Sequence, residues 1–214
     1  MIRTYRYVSD TKVDMYAAQI PRGLRDKIAA ELSINVQLVG VTLKQQPSDE
    51  TRYSKLRLVV VYIEKNEPVG TVEKPQTYFK GTLPMRWGPI GAPELDIAYF
   101  GAELPGLVVG LVGSRHHVIG GAGATAAISP SVDPIVLAAA DVESWSMNGD
   151  PDSVEKRIMP FGSILGYVNT TLQDRPSENL EFLAVKLLQG TGPTPGGPTP
   201  FLLGSPIYVA IAPA

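Results

Sequence analysis

Chemistry has few places to sit in this chain. Its only two histidines, His116 and His117, are adjacent, and Gly113, Ser114 and Arg115 precede them directly. A hydroxyl, a planar guanidinium fork and backbone N–H groups next to glycine are the components of a phosphate site. A histidine beside them titrates near neutral pH and could move a proton. Extended backbone would send the two imidazoles to opposite faces, so they could not chelate one metal side by side. The plainer alternative packs one histidine inside and leaves the other in water.

A second cluster is Asp10, Lys12 and Asp14. On a helix, Asp10 and Asp14 lie four apart on one face. Two such carboxylates could hold Mg²⁺ together with substrate phosphate oxygens. Equally, Asp10 could cap the helix while Asp14 pairs with a neighbour's Lys12, or with Arg22 or Arg25. Arg86 is third. Phe79, Gly81, Leu83, Met85 and Trp87 share one face of a period-two segment, which turns Lys80, Thr82 and Arg86 to the other. Arg86 therefore either meets solvent or lines a cleft, and arginine favours bidentate anion recognition. Trp87 reads as core.

The familiar catalytic templates are missing. There is no Gly-x-x-x-x-Gly-Lys-Ser/Thr, no Gly-x-Gly-x-x-Gly after a strand, no His-Glu-x-x-His and no Gly-x-Ser-x-Gly. With no cysteine in the chain, disulfides, thiolate catalysis, zinc-thiolate sites and iron–sulfur clusters are excluded. No cofactor and no metal is expected. Nineteen basic residues against twenty-one acidic ones give a formal charge of −2, too little positive charge for broad nucleic-acid or anionic-membrane binding. The N-terminus reads as a strand and not as a signal peptide, and no apolar run is long enough to span a bilayer. A cytoplasmic protein is expected.

The elements that must position these residues are α+β. At 214 residues with 44% hydrophobic content, one domain with a sizeable core is expected. Residues 2–8 read as a strand and 11–18 as a short helix. Residues 21–32 form a second helix, with Ile20, Leu24, Ile28 and Leu32 recurring every fourth position. A strand is expected over 36–43. Ser48, Asp49 and Glu50 signal a helix start for 52–65, although its β-branched content leaves strand open. Strands follow at 79–87, ended by Trp87-Gly88-Pro89, then at 95–100 and 107–112, with 115–119 extending or following the last. Short Pro/Gly turns make this an antiparallel meander. Asp133-Pro134 and Asp150-Pro151 each open a helix, and the second carries an apolar stripe of Val154, Ile158, Phe161, Leu165, Val168 and Leu172. Strands at 180–188 and 201–212 form a C-terminal hairpin around a Pro/Gly-rich loop at 190–200. The architecture expected is a mainly antiparallel sheet covered by helices.

Four stretches together carry a resemblance. They are the segment from Tyr7 to Met15 (YVSDTKVDM), that from Leu83 to Pro89 (LPMRWGP), Tyr99-Phe100-Gly101 with the segment from Gly113 to Gly120 (GSRHHVIG), and that from Leu203 to Val209 (LGSPIYV). In that order the chain resembles a bacterial, mainly actinobacterial, family of unknown function. The resemblance spans most of the chain and implies one domain but no activity. It also suggests a place near bacterial signalling or conflict systems.

Two kinds of function remain. One is a ligand-sensing or protein-interaction module, alone or as a homo-oligomer, that takes a phosphate-containing small molecule or a protein partner. The other is a phosphate-ester or nucleotide-processing enzyme using the Ser114–His117 turn. Convergence of Asp10, Arg86 and one histidine on a single pocket would favour a ligand site or an enzyme.

Overall fold

The row of alternating residues from Phe79 to Trp87 becomes the spine of a sheet in the computed structural model, which describes residues 3–37, 52–90, 97–120, 165, 169, 172–194 and 197–213. In chain order the elements are β1 (Tyr5–Val8), α1 (Asp10–Gln19), α2 (Arg22–Gln37), α3 (Arg52–Asn66), β2 (Val69–Gly70), β3 (Tyr78–Ile90), β4 (Ile97–Leu104) and β5 (Leu107–Ser114). A short 3-10 helix (Arg115–His117), β6 (Glu178–Thr194) and β7 (Gly197–Ile211) complete them. Two compact units result: Asp10–Val69, which is helical, and Met1–Ser9 with Gly70–Ala214, which holds the sheet.

The sheet closes on itself. Its strand order is β1-β7-β5-β4-β3-β2, and β6 pairs with both β3 and β7, so β3, β4, β5, β7 and β6 form a ring. All of these pairings are antiparallel except that of β5 with β7. The meander of β3, β4 and β5 and the C-terminal hairpin are as expected, and the fold is α+β. Closure removes the free edges that an open sheet would expose.

The interior follows from period-two alternation on each strand. Phe79 and Met85 of β3, Phe100 of β4, Leu111 of β5 and Phe182 of β6 are all buried within it. Aromatic edges fill it, with Phe79 against Phe182 at 5.7 Å and Tyr7 against Phe100 at 5.9 Å between ring centroids. Trp87, only partly buried, stacks on Phe100. The opposite faces of β4, β5 and β7 are apolar too. Tyr99, Val112 and Leu203 there pack with Leu165 and Leu172. Burial on both faces explains why residues 107–112 read as a continuous apolar run and not an alternating one.

Several expectations are corrected. β3 runs through Pro89 to Ile90, because its pairing passes from β6 (up to Met85) to β4 (from Arg86). Residues 115–117 are a 3-10 helix and not a strand. The strand expected over 36–43 begins inside α2, and its remainder lies outside the described residues. Residues 190–194 and 197–200 of the Pro/Gly segment are not loop but a paired ladder, from Gly190 opposite Phe201 to Thr194 opposite Gly197. Of the paired helices near 133–172, only Leu165, Asn169 and Leu172 fall among the described residues. Phe161 lies outside them.

In the helical unit, α3 is a helix and not a strand, and Leu56, Val59 and Ile63 on it are buried with Val13 and Ile28. Their spacing of three and four places them on one face. Leu24 departs from its expected row and is 37% exposed.

Candidate functional site

The site lies on the outer face of the barrel, where a pair of glycines lets other side chains descend onto the sheet. Gly101 of β4 and Gly110 of β5 are directly paired. A Cβ on Gly110 would stand 2.8 Å from Leu165 Cδ2 and 2.9 Å from the Tyr99 ring. A Cβ on Gly101 would collide with Asn169 Oδ1 and the same ring. Tyr99 thus lies across the furrow that the glycines leave, and Asn169 sits on top of it.

Asn169 is 8% exposed, and its Oδ1 accepts a 2.9 Å hydrogen bond from the Tyr99 hydroxyl. Burial, and then the nearby Glu103 carboxylate, push the Tyr99 hydroxyl well above its ordinary pKa, so it remains a donor. With the hydroxyl donating, the amide oxygen faces Tyr99 and Nδ2 is left at the other end of the side chain. The other end, Nδ2, is buried and has no hydrogen-bond partner among the described residues. A buried donor without a partner costs about 1–3 kcal/mol, which a bound acceptor would recover.

Asn169 opens onto a cleft of about 270 Å³ that it lines with Arg86, Gly101, Glu103 and Gln173. Arg86 is paired with Gly101 across β3 and β4, so both look to the same face. Its Nε donates to the Arg175 carbonyl at 3.1 Å, which orients the guanidinium. Arg175 reaches this face after two tight turns, Leu172 N–H to the Asn169 carbonyl and Arg175 N–H to the Leu172 carbonyl. Its own guanidinium lies over Gly88, where a Cβ would stand 2.9 Å from Cζ. Gly88 is two residues from Arg86 on the same face of β3. Neither arginine is in an ion pair among the described residues. One guanidinium, one carboxylate and two side-chain amides thus line one small cleft, and the Arg175 guanidinium over Gly88 is not part of that lining.

A model of a family of unknown function, DUF7019, matches residues 3–213. The chain belongs to DUF7019. No curated protein and no solved structure matches it.

In this DUF7019 chain the residues singled out by sequence are not gathered together. Only Arg86 lines the cleft. Ser114 is on the same outer face, but it pairs with Ile97, four residues along β4 from the Arg86 partner Gly101. That is about 13 Å of strand. The Ser114 hydroxyl accepts from the His116 N–H at 3.2 Å and caps the 3-10 helix. Arg115 and His116 are exposed, while His117 is buried with its ring edge-on to Tyr7 at 5.9 Å. The two imidazoles do not part to opposite faces as a strand would require: a 3-10 turn carries them, and their ring centroids stand 5.5 Å apart, edge to face. Among the described residues no group of three or more His, Asp or Glu is placed to hold a metal.

Asp10 and Asp14 belong to the helical unit. Asp10 meets Arg52 at 2.6 Å and Asp14 meets Lys55 at 3.1 Å, so the partner of Asp14 is neither Arg22 nor Arg25. Lys12 is half-buried, and burial lowers its pKa to about 8. Between pH 8 and the ordinary lysine value of 10.5, the unfolded chain therefore holds the proton that the folded chain has released. Stability from this group rises with pH across that window, and below it the buried charge is a constant penalty. Lys12→Met should be more stable than wild type at pH 7, and the difference should shrink between pH 8 and 10.5. Urea denaturation of both proteins across that range checks it, and a pH-independent difference would refute it.

Sequence reading missed Glu103, Asn169, Gln173 and Arg175. A signal for Asn169 was present. It follows Leu165 by four and precedes Leu172 by three, so it shares their buried helical face, where a polar residue must have a use.

Proposed function

We propose that this DUF7019 chain is a binding module of the bacterial cytoplasm that holds an acidic group of a metabolite-sized ligand in the cleft between β3, β4 and Asn169. The observation that carries this reading is the buried Asn169 Nδ2, which has no hydrogen-bond partner among the described residues, on a cleft that Arg86 also lines. An anion there would receive a charge-assisted bond from Arg86 and a neutral one from Asn169. The volume suits a small molecule and lies below the usual range for drug-sized ligands. Binding is favoured over turnover because, among the described residues, the cleft's lining pairs no nucleophile with a base. The absence of cysteine and of any described helix long and apolar enough to cross a membrane is consistent with the cytoplasm.

The test is a melting-temperature screen with inorganic phosphate and acetate, since anything bound to the native state alone raises the midpoint. Calorimetry on Arg86→Ala follows. Its affinity for whichever anion binds should fall about tenfold, equivalent to about 1.4 kcal/mol. Arg86 is exposed, so the fold should be nearly unchanged. Equal affinity in wild type and variant would remove the cleft as the anion site.

A further inference from the structure

Glu103 does not fit a site built for an anion alone. It lines the same cleft as Arg86, on the same face of β4 as Gly101 and two residues further along. Two strand residues are about 7 Å, so the carboxylate occupies one end of the cleft. Arg86 stands across from Gly101, and Arg175 lies beyond it over Gly88, which pairs with Tyr99. Along the strand direction the order is therefore acid, guanidinium, guanidinium, with the amides of Asn169 and Gln173 also lining the cleft. Glu103 is in no ion pair with Arg86 or with any other cation among the described residues. Opposite charges that share a cleft of about 270 Å³ without neutralising each other are placed to be bridged by something else.

We infer that the ligand of this cleft is a small zwitterion of the α-amino-acid class, with its carboxylate on Arg86 and Asn169 and its ammonium on Glu103. This rests on the anion-binding reading above and adds the second charge. A simple anion would gain from Arg86 but suffer repulsion from Glu103, while a simple cation would meet the reverse. A zwitterion uses both ends, and the short separation of its charges matches a cleft this small. Charge complementarity at both ends also rejects the wrong partners, which is how such sites discriminate.

The experiment titrates the full chain, by calorimetry, with L-alanine, L-serine and L-leucine, and with acetate and ethylamine as single-charge probes. At least one amino acid should bind ten times or more tighter than acetate. Glu103→Gln keeps shape and removes the charge. It should abolish that preference, bringing the amino acid to within about twofold of acetate, and Arg86→Ala should weaken both. Acetate binding as tightly as every amino acid, and more tightly still in Glu103→Gln, would overturn the zwitterion while leaving the anion site in place. An amino acid whose affinity is unchanged by Glu103→Gln would also overturn it. No binding of acetate, phosphate or any amino acid would overturn both readings together.

Discussion

Phe100→Ala should lower the free energy of unfolding by about 3–5 kcal/mol, the range for truncating a well-packed buried aromatic. Phe100 has no exposed surface and stands at the centre of the barrel interior. Its ring stacks on Trp87 at 5.7 Å and 20° and meets the edge of Tyr7 at 5.9 Å and 79°. Its strand is held on both sides, by β3 opposite Trp87 and by β5 opposite Leu111. A closed ring of strands cannot collapse onto the space left behind as an open sheet can, so the cavity term should be near its full size. Guanidinium denaturation of wild type and variant measures it. An unchanged dependence on denaturant would show that the loss arises in the native state. A loss below about 1 kcal/mol would place Phe100 outside a packed core and contradict the closure of the sheet.

Local pattern revealed the interior row of β3, the meander and α3, because each depends on neighbours within one element. Closure was not legible. It needs β6 to pair with β3, so that Glu178 lies opposite Met85 and binds Arg6 at 2.8 Å, across most of the chain's length. No local periodicity encodes a contact of that separation. The Pro/Gly composition of residues 190–200 also misled, since proline and glycine usually mark loops. There the strands pair around Pro193 and Pro198, which face each other in the ladder. The site was legible in one residue of five. Arg86 was visible because alternation set its face, whereas Arg175 looked like any solvated arginine and Asn169 was hidden in an apolar stripe. The Ser114–His117 cluster drew attention through residue type, but residue type carries no information about distance.

Gly101→Ala should cost about 1–3 kcal/mol of stability and also remove anion binding, although it deletes no polar atom. Gly101 is not in the left-handed region, so alanine meets no backbone obstacle there. The whole effect is steric. The added methyl would overlap Asn169 Oδ1 and stand 2.6 Å from the Tyr99 ring, so neither side chain can keep its place. Displacing Asn169 breaks its buried bond with Tyr99 and turns the free Nδ2 away from Arg86. Calorimetry with the anion that wild type binds should then show no heat, while the circular dichroism spectrum stays native. A coupled measurement isolates the cause. In an Asn169→Ala background the methyl has one clash fewer, so Gly101→Ala should cost less there than in wild type, by more than the roughly 0.5 kcal/mol expected of independent sites. Strict additivity of the two substitutions would mean that Asn169 does not rest on Gly101, and the cleft as described would lose its floor.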